Sequence, residues 1–425
     1  MKHLLALILL GAVVGVPGLR ADETKQIQSR IDAMAAAGGG RVSLPTGDHL
    51  VGSLLLKSGV ELHLEKGARL LGSRNPDDYA LDLSGRGYAT NITKRWSRAM
   101  IRVIGAKDVA ITGEPGSEIC GRNCFDASGE EGFRGPHAIT VFNSTNLLLR
   151  GYAVRDAGNY GFFARGCAKI TVQNVEVRGG HDGFDFFFCE DVRVENCRIF
   201  SGDDCVAGFG NRRLTVRGCE VNSACSYFRL GGEDVLIEDC HGTAPAENPH
   251  RWSLSPEEKR MEMTPPASGR RTTLSVFTFF TSKRVEETSR KIVFRNCRFA
   301  GVERLIHYNL SGSERWQQGR GLADVTFERV SVEGLSVPLV AYGVAESPLR
   351  LAVDACRLSF REPVRELIRG AHMGELDFSD VVVEGVEGPI LLNWKGAAPQ
   401  LNLRNATGVR PQVRPATEKF VCRTI

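Results

Sequence analysis

The chain has 425 residues, 42% of them apolar and 24% charged, an ordinary globular balance that excludes global disorder. Its 54 basic and 50 acidic side chains leave a formal charge of +4, too small for a broad nucleic-acid-binding surface. The length admits one large domain or two to three ordinary ones.

Lys2 and His3 precede an apolar run, Leu4 to Val16, followed by Pro17-Gly18-Leu19-Arg20-Ala21. This reads as an export signal cleaved after Ala21, because the run is short of the ~20 residues a membrane span needs. Residues 22–425 are then expected outside the cytoplasm, secreted or periplasmic, as one domain without a membrane span. The next stretch, "DETKQIQSRIDAMAAAGGG", places Ile27, Ile31 and Met34 on helical spacing and predicts an amphipathic capping helix.

A repeat then takes over. "KITVQNVEV", "DVRVENCRI", "RLTVRGCEV" and "DVLIEDCHG" align Val172, Val194, Val216 and Ile237 at steps of 22, 22 and 21 residues. Looser copies run from "NLLLRGYAV" to "QLNLRNATG". The spacing lacks both hairpin turns and intervening helical patterns. It therefore predicts an all-β solenoid of parallel coils, with equivalent residues about 4.8 Å apart in successive coils. The polar insert from Ala244 to Arg271 interrupts the repeat and reads as a loop at one rim. Residues 410–425 are expected to cover the far end.

Of the twelve cysteines, Cys197, Cys219, Cys240 and Cys297 occupy one place in the repeat, which predicts a stacked ladder of free thiols. Cys120 with Cys124, and more weakly Cys205 with Cys225, are the pairs placed for disulfides. Asn-x-Ser/Thr sequons stand at Asn91, Asn143, Asn309 and Asn405.

One coil length also separates Asp182 from the doublet Asp203-Asp204, at intervals of 21 and 22 residues. If the coil returns, three carboxylates gather at a strand end, where each disfavours ionisation of the others. Such clusters point to a metal or to acid–base chemistry, and carboxyl pairs of split pKa cleave glycosidic bonds.

"GGGRVSLPTGDHLVGSLLLKSGVELHLEKGARLLGS", "HDGFD" and "SGDDCVA" together resemble glycoside hydrolase family 28, the polygalacturonases and their relatives. The resemblance is clear from about Ala21 to Cys240. It implies a right-handed parallel β-helix and inverting hydrolysis without metal or other cofactor. Carried onto this chain, Asp203 would be the general acid, and Asp182 and Asp204 would activate water. The chain departs from the family at Ala224-Cys225-Ser226, where the family has Gly-His-Gly. Its "LSVFTFFTS" stretch also lacks the family's Arg-Ile-Lys cations, and Gly180-His181 replaces Asn-Thr. Arg229 and His181 are the proposed substitutes for substrate binding, Arg229 equally readable as a rim ion pair with Glu233 or Asp234. Trp252 and Trp316 are candidates for sugar stacking or loop packing, and Phe187 or its neighbours for the core. The expected protein is a monomeric secreted hydrolase of a uronic-acid-containing polysaccharide or oligosaccharide. A β-helix lyase and a non-catalytic glycan-binding β-helix are the alternatives.

Overall fold

The computed structural model describes residues 22–81, 98–261, 267–312, 314–387, 391–395 and 399–409. The expected export signal, the expected end cover at 410–425 and Asn91 lie outside them.

Helix α1, Thr24–Ala36, opens the described chain with Ile27 and Ile31 buried and Met34 packed beside them, as the helical spacing requires. Short strands follow and return coil after coil, every interstrand ladder between them parallel, in one sheet of 23 strands and a second of 12. The predicted register holds: Val172, Val194, Val216 and Ile237 pair in succession. The same column extends back through Leu149, Ile111 and Leu62 to Val42. It runs forward through Phe294, Phe327, Val353 and Phe378 to Leu403. Alternation points this column inward and its neighbours outward, so one continuous apolar cluster reaches from Ile27 to Val383.

Coil corners need residues that tolerate a left-handed backbone. Asn174, Asn196, Gly218, Asp239 and Asn296 fill one such corner, at φ between 52° and 62°. The cysteine ladder stands next to it. Cys197, Cys219, Cys240 and Cys297 are buried and free, and the Cys197 amide donates to the Cys219 thiol at 3.5 Å.

The disulfide expectations are corrected. Cys120, Cys124, Cys205 and Cys225 are all free. The Cys124 thiol donates to the Arg74 carbonyl at 3.3 Å, and that of Cys205 to the carbonyls of Ile199 and Asn222, so local backbone acceptors engage these thiols. Of Phe187 and its neighbours, Phe186 is the one in the core. Phe184 and Phe186 fill the core, whereas Phe187 faces outward in a separate cluster with Phe142 and Phe163. Asn309 is buried, 2% exposed, which removes it as a glycan acceptor in the folded chain.

One irregularity shapes the outer face of the middle coils. Strand Val206–Arg217 shifts register against Ser226–Glu238 between Gly208 and Asn211. Asn211 stitches the bulge, donating to the Phe186 carbonyl at 2.8 Å and accepting from the Cys189 amide at 3.0 Å. Gly208 sits at φ 133°, where a Cβ would lie 1.6 Å from the Phe186 carbonyl oxygen. Gly208→Ala is therefore expected to destabilise the chain by more than about 1 kcal/mol. Thermal unfolding followed by circular dichroism checks this; an unchanged midpoint would show that the bulge relaxes freely.

Candidate active site

The carboxylates occupy one corner of three successive coils. His181 and Asp182 lie between strands Glu176–Gly179 and Phe184–Phe187, and Asp203 and Asp204 between Arg198–Ser201 and Val206–Arg217. Ala224 and Cys225 lie between Glu220–Ser223 and Ser226–Glu238. Backbone bonds stack these turns: the Gly183 amide donates to the Asp204 carbonyl at 2.9 Å, and the Cys205 amide to that of Ser226 at 3.0 Å. The coil return does bring the three predicted aspartates together.

Their side chains share cations. Arg134 bridges two of them, with Nη2 2.8 Å from Asp203 and Nη1 3.5 Å from Asp182. Arg134 is itself held by Glu131 at 2.7 Å and the Asn159 amide oxygen at 3.2 Å. His250 Nε2 lies 3.6 Å from the same Asp203 oxygen. Asp204 accepts from Arg229 Nη1 at 3.0 Å and from the Ser226 amide at 3.1 Å. Arg229 is thus a member of the cluster. The rim alternative fails, because Glu233 pairs with Arg290 and Asp234 with Lys291.

A fourth carboxylate, Asp185, stands on the outward face of strand Phe184–Phe187, 1% exposed. Its Oδ2 has no hydrogen-bond partner among the described residues. Arg134, Asp185 and His250 escaped the sequence reading. Arg134 and His250 lie in loops that carry no period. Asp185 carried a usable signal, since it sits three residues after Asp182 and faces outward by alternation.

Four buried carboxylates against two guanidinium groups and a histidine leave excess negative charge. Burial, then Asp203, push Asp182 well above the usual carboxylate range, and burial with Asp204 does the same to Asp185. Burial also raises Asp204, with Arg229 opposing. Burial alone would raise Asp203 too, but His250 and Arg134 outweigh it and hold Asp203 well below that range. The corner therefore favours charge on Asp203 and disfavours it on Asp182 and Asp185. Glu130, linked to Arg134 through Asn159, is pushed up to about 7, chiefly by burial.

His181 makes no hydrogen bond within the cluster among the described residues. Both ring nitrogens lack partners among the described residues, the ring stacks on Phe133 at 5.9 Å, and burial holds its pKa well down. It is a neutral, packed imidazole. Asp203, Asp204 and Cys225 present donor atoms within 4.8 Å of one another. Both carboxylates already carry a guanidinium, and burial keeps the Cys225 thiol protonated. This donor set suits proton transfer better than ion binding.

The insert is more than a rim loop. Its Arg251 donates to Asn123 and to the Lys259 carbonyl, and Asn123 donates to the Met261 carbonyl at 3.3 Å. Lys259 lies 4.8 Å from the Phe133 ring and Arg260 4.1 Å from that of Phe125. The insert and the loop carrying Asn123 to Arg134 thus clasp one another over the corner. Gly180 permits this, since a Cβ there would meet Arg251 Cγ at 2.3 Å. Arg270 and Arg271 serve to fasten the insert through the carbonyls of Ala224 and Ala246.

Residues 137–243 match the family described as a right handed beta helix region. A probable polygalacturonase of Vitis vinifera is 24% identical over 267 residues, 56% of this chain and 54% of that protein. A polygalacturonase of Ralstonia solanacearum is 30% identical over 196 residues, 39% and 35% respectively. The matched regions span about half or less of these relatives' own length. Among solved structures, an exopolygalacturonase from Thermotoga maritima superposes with a TM-score of 0.65 at 16% identity, covering 86% of this chain and 89% of that one. The fold class is thus a right-handed parallel β-helix. Within that fold the chain is similar in sequence to polygalacturonases.

The charge excess has a measurable sign. Unfolded, Asp185 ionises near its ordinary value of about 3.9, whereas the native corner retains its proton to higher pH. Stability from this group therefore falls as pH rises above that ordinary value. Asp185→Asn is expected to melt higher than the native chain at about pH 7 and to match it at about pH 3. Scanning calorimetry across pH would refute this with an equal or lower melting temperature at neutral pH.

Proposed function

We propose that this protein is a secreted inverting glycoside hydrolase cleaving a uronic-acid-containing, pectin-like polysaccharide. The observation that carries the reading is the corner in which Arg134 bridges Asp182 and Asp203 beside Asp204. It sets two carboxyl groups in unlike electrostatic surroundings as neighbours, the equipment for protonating a leaving oxygen while activating water. Similarity to polygalacturonases supports the substrate class.

The family resemblance gives Asp203 the acid role and leaves water activation to Asp182 and Asp204. One observation favours the opposite order, with Asp182 as acid and Asp203 as base: Arg134 and His250 lie against Asp203, and Arg134 stands farther from Asp182. Arg229 serves the substrate, because among the described residues only its Nη1 is engaged by a carboxylate.

Asp203→Asn is expected to abolish turnover of polygalacturonate and keep binding; equal rates would overturn the assignment of this residue. A substrate with an activated leaving group separates the two orders. The variant lacking the acid regains rate on it and the variant lacking the base does not, so comparing Asp203→Asn with Asp182→Asn identifies each. The clasp closes the corner on the side of the insert, which favours attack from a chain end. Early digests are then expected to contain mono- or disaccharide while polymer viscosity persists. A rapid fall in viscosity would exclude that mode.

A further inference from the structure

Trp316 is 42% exposed, unusual for so large an apolar side chain, yet its backbone is firmly placed. Its neighbours Glu314 and Gln317 are 6% and 1% exposed. Glu314 pairs with buried His307 at 3.5 Å, and Gln317 accepts from the Asn309 amide at 2.6 Å. The Trp316 carbonyl accepts from the Thr281 amide at 3.4 Å. The segment is thus pinned inward on both sides, and Arg315 and Trp316 project outward between the pins.

Only one side chain separates this indole from the carboxylates. The Arg229 guanidinium lies 5.1 Å from the Trp316 ring and 4.3 Å from that of Phe280, while its Nη1 reaches Asp204. Arg315, exposed and without an ion pair among the described residues, lies 4.8 Å from the same indole. Aromatic faces beside two arginines complement a ring that is apolar on one face and carries a carboxylate. We infer that Trp316, Arg315, Arg229 and Phe280 form a uronate-binding subsite adjoining the cleavage corner, on the side away from the clasp. The indole takes the sugar face, and the guanidinium groups take the carboxylate. Arg229 then joins the two sites, answering Asp204 with one nitrogen and the sugar with the others.

This subsite rests on the proposed hydrolase reading, and its test separates the two. Titration calorimetry with trigalacturonic acid and with the neutral galactotriose of the same linkage probes the subsite directly. The native chain is expected to prefer the acidic trisaccharide. Trp316→Ala is expected to weaken its binding about tenfold, with Trp316→Phe recovering most of the loss. Arg315→Gln is expected to weaken only the acidic ligand. On polygalacturonate the loss in Trp316→Ala should fall on KM rather than on kcat. Cleavage by the native chain with KM unchanged in Trp316→Ala overturns the subsite and leaves the hydrolase standing. Equal affinity for acidic and neutral ligands overturns the uronate assignment, and binding of neither overturns both readings.

Discussion

Parallel return of the chain in a fixed register is the constraint on which the rest depends. Because each coil adds one strand spacing, a residue's neighbours in space stand roughly 21 or 22 positions away, as Val172, Val194, Val216 and Ile237 do. The same return that stacks these apolar residues inside sets Asp182 beside Asp203 and Asp204 at the corner. Site and core are two readings of one periodicity. A one-residue slip would turn the inner column to solvent and scatter the acids.

The second theme is charge held out of water. Burial disfavours every carboxylate in the corner, and the cations present do not balance them. Arg134 and His250 lie against Asp203 and Arg229 pairs with Asp204, so ionisation is most costly for Asp182 and Asp185. Functional sites commonly carry such unfavourable arrangements, which the surrounding scaffold must offset. Here the offset comes from a long, continuous core.

Legibility in the sequence followed periodicity closely. Wherever side chains repeat, as with the inner column, the thiol ladder and the Asn/Asp/Gly corner, position followed from counting. The acidic trio was legible for the same reason. Arg134, His250 and the clasp were not, because loops are placed by tertiary contact alone and leave no spacing to count. The run Phe186–Phe188 was legible as an alternation, but which of its members faces the core was not. Asp185, two residues earlier on the same strand, fixes the outward parity that Phe187 shares. Among the cysteines only the two pairs proposed for disulfides, Cys120 with Cys124 and Cys205 with Cys225, were misplaced, whereas the ladder of free thiols followed from its spacing.

The clasp has a consequence for how the molecule matures. Asn123 meets Met261 across 138 residues of chain, while the coil contacts beneath span little more than twenty. Contacts of such separation form late, after the local ones have closed their smaller loops. The scaffold can therefore be complete while His250 is still absent from its carboxylate, and final charge on the acids awaits the docking of one surface segment upon another.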